Sequence, residues 1–278
     1  MLSKLVIIAG SGDYPRLLVE GAKKAGVAQV DVVAIAGSTS RATRNAADHV
    51  IPITISTIAE NIRRVGTMHY DGAILAGQVN PLSLFRGRFD REVQSWLDEL
   101  PVKTAHTVFS KLVEKFAESG ITILPASLFM DDNLPGVGPL TTRDFTEEER
   151  SDIEHAMRVA HDVGVHDVGQ TVMVKKGMVL AVEAFEGTNR AIRRGGRLGG
   201  RGSVLFKAAR EGHDMRFDIP VIGLKTLKTM RRAGVTALGF QASRLIVLNR
   251  DEVISYANKH NIAIVGVDSG LPPAPLRP

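Results

Sequence analysis

A chain of 278 residues, 44% hydrophobic and 23% charged, has the length and composition of two modest soluble domains, each able to bury a core. The absence of cysteine excludes disulfides, thiolate zinc sites and cysteine nucleophiles, and an aromatic content of 5% argues against base-stacking platforms and ring-walled sugar clefts. A net charge of +5 favours anionic partners such as phosphates or acidic lipid, while no motif supports nucleic acid.

Residues 5–9 form a short apolar run closed by glycine, the pattern of a strand buried on both faces. The apolar stretch at the N-terminus is too short for a membrane span and runs straight into folded-looking sequence. No signal peptide is therefore expected, and a cytoplasmic location is. Helical spacing follows over 15–25, with strands over 30–36 and 50–54, a helix over 59–65 and a strand over 72–76. Such alternation predicts parallel βαβ units in a Rossmann-like sheet. Helices over 90–97 and 105–118 and a strand over 121–125 complete a first domain of residues 1–133.

Residues 131–146 carry glycine and proline in quick succession without a period, as a linker does. Thr146-Glu-Glu-Glu149 matches a capping box and opens a helix running to about residue 163. The second domain, 147–270, reads as α+β. It has strands over 170–174 and 178–185 around a Lys175-Lys176-Gly177 turn, and another over 203–208. A helix over 226–233, strands over 237–240 and 245–248, a helix over 251–259 and a strand over 262–267 follow, then a flexible tail, 271–278.

Gly10-Ser11-Gly12-Asp13 follows a buried strand and opens a helix, so its amides can approach a phosphate; the bland alternative is a tight turn. Pro15 displaces the third glycine of a dinucleotide fingerprint, and no acid follows the second strand, which disfavours NAD. Gly77, Gln78 and Asn80 end another strand; the two amides suit a base edge or ribose hydroxyls, or Asn80-Pro81 is simply a turn. The richest segment is 179–223. Glu183 and Glu186, three apart on a strand, point to opposite faces. Gly187 and Thr188 suit a phosphate-wrapping turn, and Arg190, Arg193, Arg194, Arg197 and Arg201 follow in a glycine-rich stretch. Asp214, Arg216 and Asp218 share one face if the chain is extended there, as a site or as a charge-protected edge. The scattered histidines show no zinc spacing.

These strings resemble the LpxI-type UDP-2,3-diacylglucosamine pyrophosphatases of lipid A synthesis. The resemblance is carried by Asp167-Val-Gly169-Gln170, the run from Val179 to Thr188, Lys207, the run from Asp214 to Gly223 and Val267-Asp268. The loops from Gly10 to Pro15 and from Ala76 to Pro81 also match. It implies two hinged domains, the first holding UDP and the second the acylated glucosamine, and hydrolysis to lipid X and UMP with magnesium or another divalent ion. Asp218, with Glu186 and Arg216, is then the expected catalytic set, and Asp218, Asp214 and Glu186 the expected metal ligands. Gln170, Gly187, Thr188, Arg193, Arg194 and Lys207 bind substrate, with Gly10, Ser11, Gly12, Asp13, Gly77, Gln78 and Asn80. A lipid substrate further implies an apolar channel within 147–270 and peripheral contact with the cytoplasmic face of the inner membrane; assembly as a homodimer stays open. Two positions depart from the family pattern: Lys103-Thr-Ala-His106 replaces a Gly-Asp-Asp stretch, and Asn189 replaces the acid after Glu-Gly-Thr.

Overall fold

A computed structural model describes residues 2–78, 91–166, 168–209, 214–217, 219–268 and 270. The chain divides into two units, the first built on Met1–Met130 and joined by residues 215–217, the second on Asp131–Asp214 and Ile219–Ala274.

In the first unit β1 (Lys4–Ala9), β2 (Gln29–Ile35), β3 (Val50–Ile53) and β4 (Gly72–Ala76) form an all-parallel sheet in the order β3-β2-β1-β4. The apolar run of β1 and the residues of β2 after Gln29, among them the acid Asp31, are largely buried, as strands covered on both faces require. The helices are α1 (Tyr14–Lys24), α2 (Arg41–Ala46), α3 (Ile58–Gly66), α4 (Arg91–Asp98) and α5 (Ala105–Glu118). The strand expected over 121–125 reduces to one parallel bridge, Ala73 to Ile123, flanked by Ala73 N–H to Thr122 O and Leu124 N–H to Ala73 O. Pro125 has no N–H with which to extend the ladder.

The second unit holds α6 (Glu147–Gly164), α7 (Thr188–Gly199), α8 (Leu224–Ala233) and α9 (Arg250–Lys259) around one sheet. Its strands are β5 (Gly138–Pro139), β6 (Thr171–Lys175), β7 (Met178–Val182), β8 (Ser203–Lys207), β10 (Val235–Gln241) and β12 (Ala263–Val267), ordered β5-β12-β10-β8-β6-β7. A separate pair, β9 (Val221–Ile222) and β11 (Ile246–Val247), stands apart. Rather than the segregated α+β pattern expected, β8, β10 and β12 form a parallel centre. The β6–β7 hairpin and β5 flank that centre antiparallel. Alternation along β6 sends Val172 and Val174 to one face with Ile153 and Ala156 of α6, and Met173 to the other with Ile192 of α7 and Met230 of α8.

Residues 131–146 are not a free linker. Asn133 Nδ2 donates to Val247 O, Ser243 N–H to Pro135 O and Leu140 N–H to Ile264 O, so the segment is hydrogen-bonded into the second unit.

The capping box is present. Thr146 N–H donates to Glu149 Oε2 at 2.9 Å, and Glu149 N–H returns a bond to Thr146 Oγ1. The same carboxylate takes Arg143 through both oxygens at 2.6 and 3.0 Å and Thr236 Oγ1 at 2.7 Å. Burial raises the Glu149 pKa, but the Arg143, Thr146 and Thr236 donors outweigh it and hold the carboxyl below the usual range. A depressed folded pKa stabilises above the unfolded value, about 4.3, and that contribution is lost as pH falls through the folded value. Glu149→Gln should therefore cost about 2 kcal/mol in neutral urea titrations, with the gap from wild type narrowing below about pH 4.

Candidate functional site

In a sheet ordered β3-β2-β1-β4 the chain leaves β1 toward one side and returns on the other, so the crevice between the carboxyl ends of β1 and β4 is its switch point. The two glycine loops meet there. Ser11 N–H donates to Gln78 O and Gln78 N–H to Ser11 O, both at 2.9 Å, and Gly10 N–H donates to Ala76 O. The contact needs glycine: a Cβ on Gly10 would lie 2.6 Å from Gln78 O, and one on Gly77, at φ +89°, 2.7 Å from Ser11 O. Gly12 is different, since its φ of +95° demands glycine while an added Cβ meets open space. Asp13 occupies the N-cap of α1, its carbonyl accepting from Leu17 N–H. Tyr14 packs beneath and donates its hydroxyl to Ala126 O, and burial pushes its phenol pKa up. Asn80 lies outside the described residues.

The second locus forms where β6, β8 and α7 converge. Lys207, only 4% exposed at the end of β8, faces Thr171 across the antiparallel ladder. Its ammonium donates to Thr188 Oγ1 at 2.9 Å and Thr171 Oγ1 at 3.4 Å, with Glu183 Oε2 at 3.8 Å. The Thr188 hydroxyl accepts from Lys207 and passes its own proton toward Glu183, 2.9 Å away. A buried ammonium is thereby linked through one hydroxyl to a carboxylate, as a charge in this setting requires. Gln170 precedes β6, its carbonyl accepting from Ala208 N–H.

Glu183 and Glu186 do not alternate on a strand, because β7 ends at Val182 and both sit on the approach to α7. Glu186 pairs with Arg194 at 2.6 Å, and that hydrogen bond lowers its pKa. Gly187, at φ +81° and ψ +159°, is the N-cap and offers no side-chain acceptor. The first amides of α7, beside Thr188 and Lys207, thus open onto an anion-favouring terminus.

Residues 190–199 are helical, not the irregular stretch that their glycines suggested. A Cβ on Gly195 would lie 2.6 Å from Met173 Sδ, one on Gly196 2.5 Å from Ala233 Cβ, and one on Gly199 2.2 Å from Leu180 Cδ1. These glycines bring the helix down onto β6, β7 and α8. At about 100° per residue, Arg190, Arg193, Arg194 and Arg197 fall on one outward arc of the helix; these four and Arg201, which lies beyond its end, are exposed.

Asp214 and Arg216 do not alternate along a strand either, since residues 215–217 form a turn. Met215 O accepts from Ala126 N–H at 2.8 Å, and the Phe217 ring stacks on Phe109 at 5.6 Å and meets His106 at 5.5 Å. Arg216 is exposed beside this aromatic anchor. Asp218 lies outside the described residues. Among the described residues no three Asp, Glu or His side chains are grouped to hold a metal ion. Thr171 and Phe217 were missed in the sequence: Thr171 was legible only through the β6–β8 register, whereas an aromatic beside Arg216 was visible but unweighted.

The sequence family described as LpxI N-terminal domain matches residues 4–133, and that described as LpxI C-terminal domain matches residues 136–265. A protein named UDP-2,3-diacylglucosamine pyrophosphatase LpxI, from Caulobacter vibrioides, is 34% identical over 166 residues. That match spans 57% of this chain and 59% of the relative. The biotin carboxylase domain of Hydrogenobacter thermophilus 2-oxoglutarate carboxylase aligns at 14% identity with a TM-score of 0.28. It covers 73% of this chain and 43% of that one, a likeness too slight to argue from.

Closure of the glycine loops is open to direct test. Gly77→Ala combines backbone strain with a clash against Ser11 O and should cost about 2 kcal/mol, lowering Tm by about 6 °C. Gly12→Ala, whose methyl meets open space, should cost only its backbone strain, about 1 kcal/mol. Thermal melts read both.

Proposed function

The chain belongs to the LpxI family, and on that premise we propose that it hydrolyses the pyrophosphate bond of UDP-2,3-diacylglucosamine to lipid X (2,3-diacylglucosamine 1-phosphate) and UMP. The observation that carries the reading is the buried Lys207, linked through Thr188 to Glu183 at the N-terminus of α7. Hydrolysis forms a bond from water oxygen to one phosphorus and breaks the bridging P–O bond, while negative charge spreads over non-bridging oxygens. Fixed donors aimed at those oxygens lower the barrier most. The α7 amides, the Lys207 ammonium, Arg216 and the Arg193 and Arg194 guanidinia supply them. Asp218 is the carboxylate proposed to take the proton of the attacking water. The clasped loops at Gly10 to Asp13 and Gly77–Gln78 support binding of the uridine nucleotide in the first unit.

Magnesium remains part of the expectation for the family, and a bound divalent ion would neutralise diphosphate charge. Glu186 pairs with Arg194, and the carboxylates proposed to hold the ion are Asp214 and Asp218 together with Glu186.

The arginine arc of α7 supports contact with anionic lipid on the cytoplasmic face of a membrane, at roughly 1 kcal/mol per engaged arginine. No helix among the described residues is long and apolar enough to cross one. A second reading, a nucleotide-sugar binder without turnover, is favoured by Asn189, whose buried Oδ1 has no hydrogen-bond partner where the family pattern has an acid.

UMP release from UDP-2,3-diacylglucosamine separates the two readings. Lys207→Met should lower kcat/KM by about 10²-fold and Asp218→Ala by at least as much, each folding normally by circular dichroism. Turnover unchanged by both would remove the assignment, and binding by wild type without UMP release would favour the second reading. Sedimentation with phosphatidylglycerol vesicles should retain wild type at low salt and release it at high salt. Replacing Arg190, Arg193 and Arg197 together by glutamine should abolish retention at low salt as well.

A further inference from the structure

One peptide group of the first unit joins the glycine loops to the turn that carries Arg216. Residues 121–126 run parallel to β4 from the bridge between Ala73 and Ile123, so Ala126 reaches the same carboxyl edge of the sheet as Gly77 and Gln78. Its carbonyl accepts the Tyr14 hydroxyl, and its N–H donates to Met215 O at 2.8 Å. Tyr14 and Ala126 are both buried. Tyr14 is also the first residue of α1, directly after the N-cap Asp13, so its own amide is among the donors that a helix start leaves for an anion. Pro15 has no N–H to add there. A single residue therefore belongs to the loop assigned to the nucleotide and, through its ring, supports the peptide that holds Met215.

Packing alone does not call for the hydroxyl. Phenylalanine would fill nearly the same volume, whereas the phenol has to be desolvated, which pushes its pKa up. The bond to Ala126 O offsets that loss. Hydrogen bonds on the two sides of one peptide polarise each other, so the bond from Tyr14 strengthens the bond from Ala126 to Met215. On the other flank of the turn, Phe217 stacks on Phe109 and meets His106. Arg216 thus stands between two held neighbours.

We propose that Tyr14 is a positioning residue: through the Ala126 peptide it fixes where the Arg216 guanidinium stands relative to a nucleotide phosphate held by the glycine loops. The inference deepens the pyrophosphatase reading and rests on it for the role of Arg216.

Tyr14→Phe keeps the ring and removes the bond. In the full chain it should lower kcat for UMP release from UDP-2,3-diacylglucosamine by about tenfold, with KM within about twofold and UMP affinity by calorimetry unchanged. In an Arg216→Ala background the same replacement should change kcat by less than about twofold, because the group it positions is gone. Hydrogen exchange at the Ala126 amide should be about tenfold faster in Tyr14→Phe, and UMP should slow it in wild type. An unchanged kcat, or an equal loss in both backgrounds, would overturn the proposal, since a purely structural hydroxyl acts alike in both. Should Tyr14→Phe not fold, the wild-type measurement decides: exchange at Ala126 indifferent to UMP would overturn the proposal as well. Wild type that shows both exchange effects but releases no UMP would leave Tyr14 as the residue that holds the Arg216 turn and sink the pyrophosphatase reading. UMP release with kcat and exchange both indifferent to Tyr14→Phe would do the reverse.

Discussion

A lysine ammonium buried at the end of a central strand has to be compensated, and Lys207 imposes that condition on the second unit. Only 4% of the residue is exposed, so its charge must be met by protein groups. Meeting it requires Glu183 and Thr188 within reach, hence a strand that stops at Val182, a left-handed turn at Gly187 and a helix that begins at once. The helix in turn must lie close to the sheet, or Thr188 would not reach the ammonium. Gly195, Gly196 and Gly199 provide that approach by presenting no Cβ where Met173, Ala233 and Leu180 already stand. Glycine in a helix interior costs about 1 kcal/mol each relative to alanine, and here the cost is offset by packing that larger residues would prevent.

This coupling explains what could be read in the sequence and what could not. Continuous apolar runs and capping chemistry are local, so β1, β2 and β4, the helix over 105–118 and the Thr146–Glu149 box were legible almost to the residue. The α7 helix was not, because its three glycines signal a loop locally and acquire their meaning only from atoms on β6, β7 and α8. The parallel centre of the second sheet was hidden likewise: pairing of β8 with β10 and β10 with β12 is a long-range choice, and alternation along a strand does not name its neighbour. At the site, the geometry read for Glu183 and Glu186 and for Asp214 and Arg216 assumed strands where the chain turns.

The two loci differ in how firmly the chain holds them. In the first unit the glycine loops bond to each other through main-chain groups, so their shape survives most changes of side chain. In the second, Lys207, Thr188 and Glu183 depend on one another through side chains, and removing any one strands a buried polar partner. Residues 215–217 combine both kinds of anchoring: Met215 is held through its carbonyl and Phe217 through its ring, which fixes the backbone from which Arg216 projects.

The pairing of residues 138–139 on β12 has a further consequence, for solubility rather than chemistry. An unprotected β-sheet edge is a template for another chain, and β5 covers one edge of the second sheet with two residues that include a proline, which cannot donate onward. The opposite edge, β7, exposes Met178 and Val179 and has no such cover among the described residues. What surrounds it is positive charge: Lys175 and Lys176 in the hairpin, and Arg197 and Arg201 at the end of α7, whose carbonyl-rich terminus Lys175 also binds. Two copies approaching edge to edge would bring these clusters together, so the sheet is guarded on one side by chain geometry and on the other by electrostatic repulsion, the weaker of the two guards wherever salt is abundant.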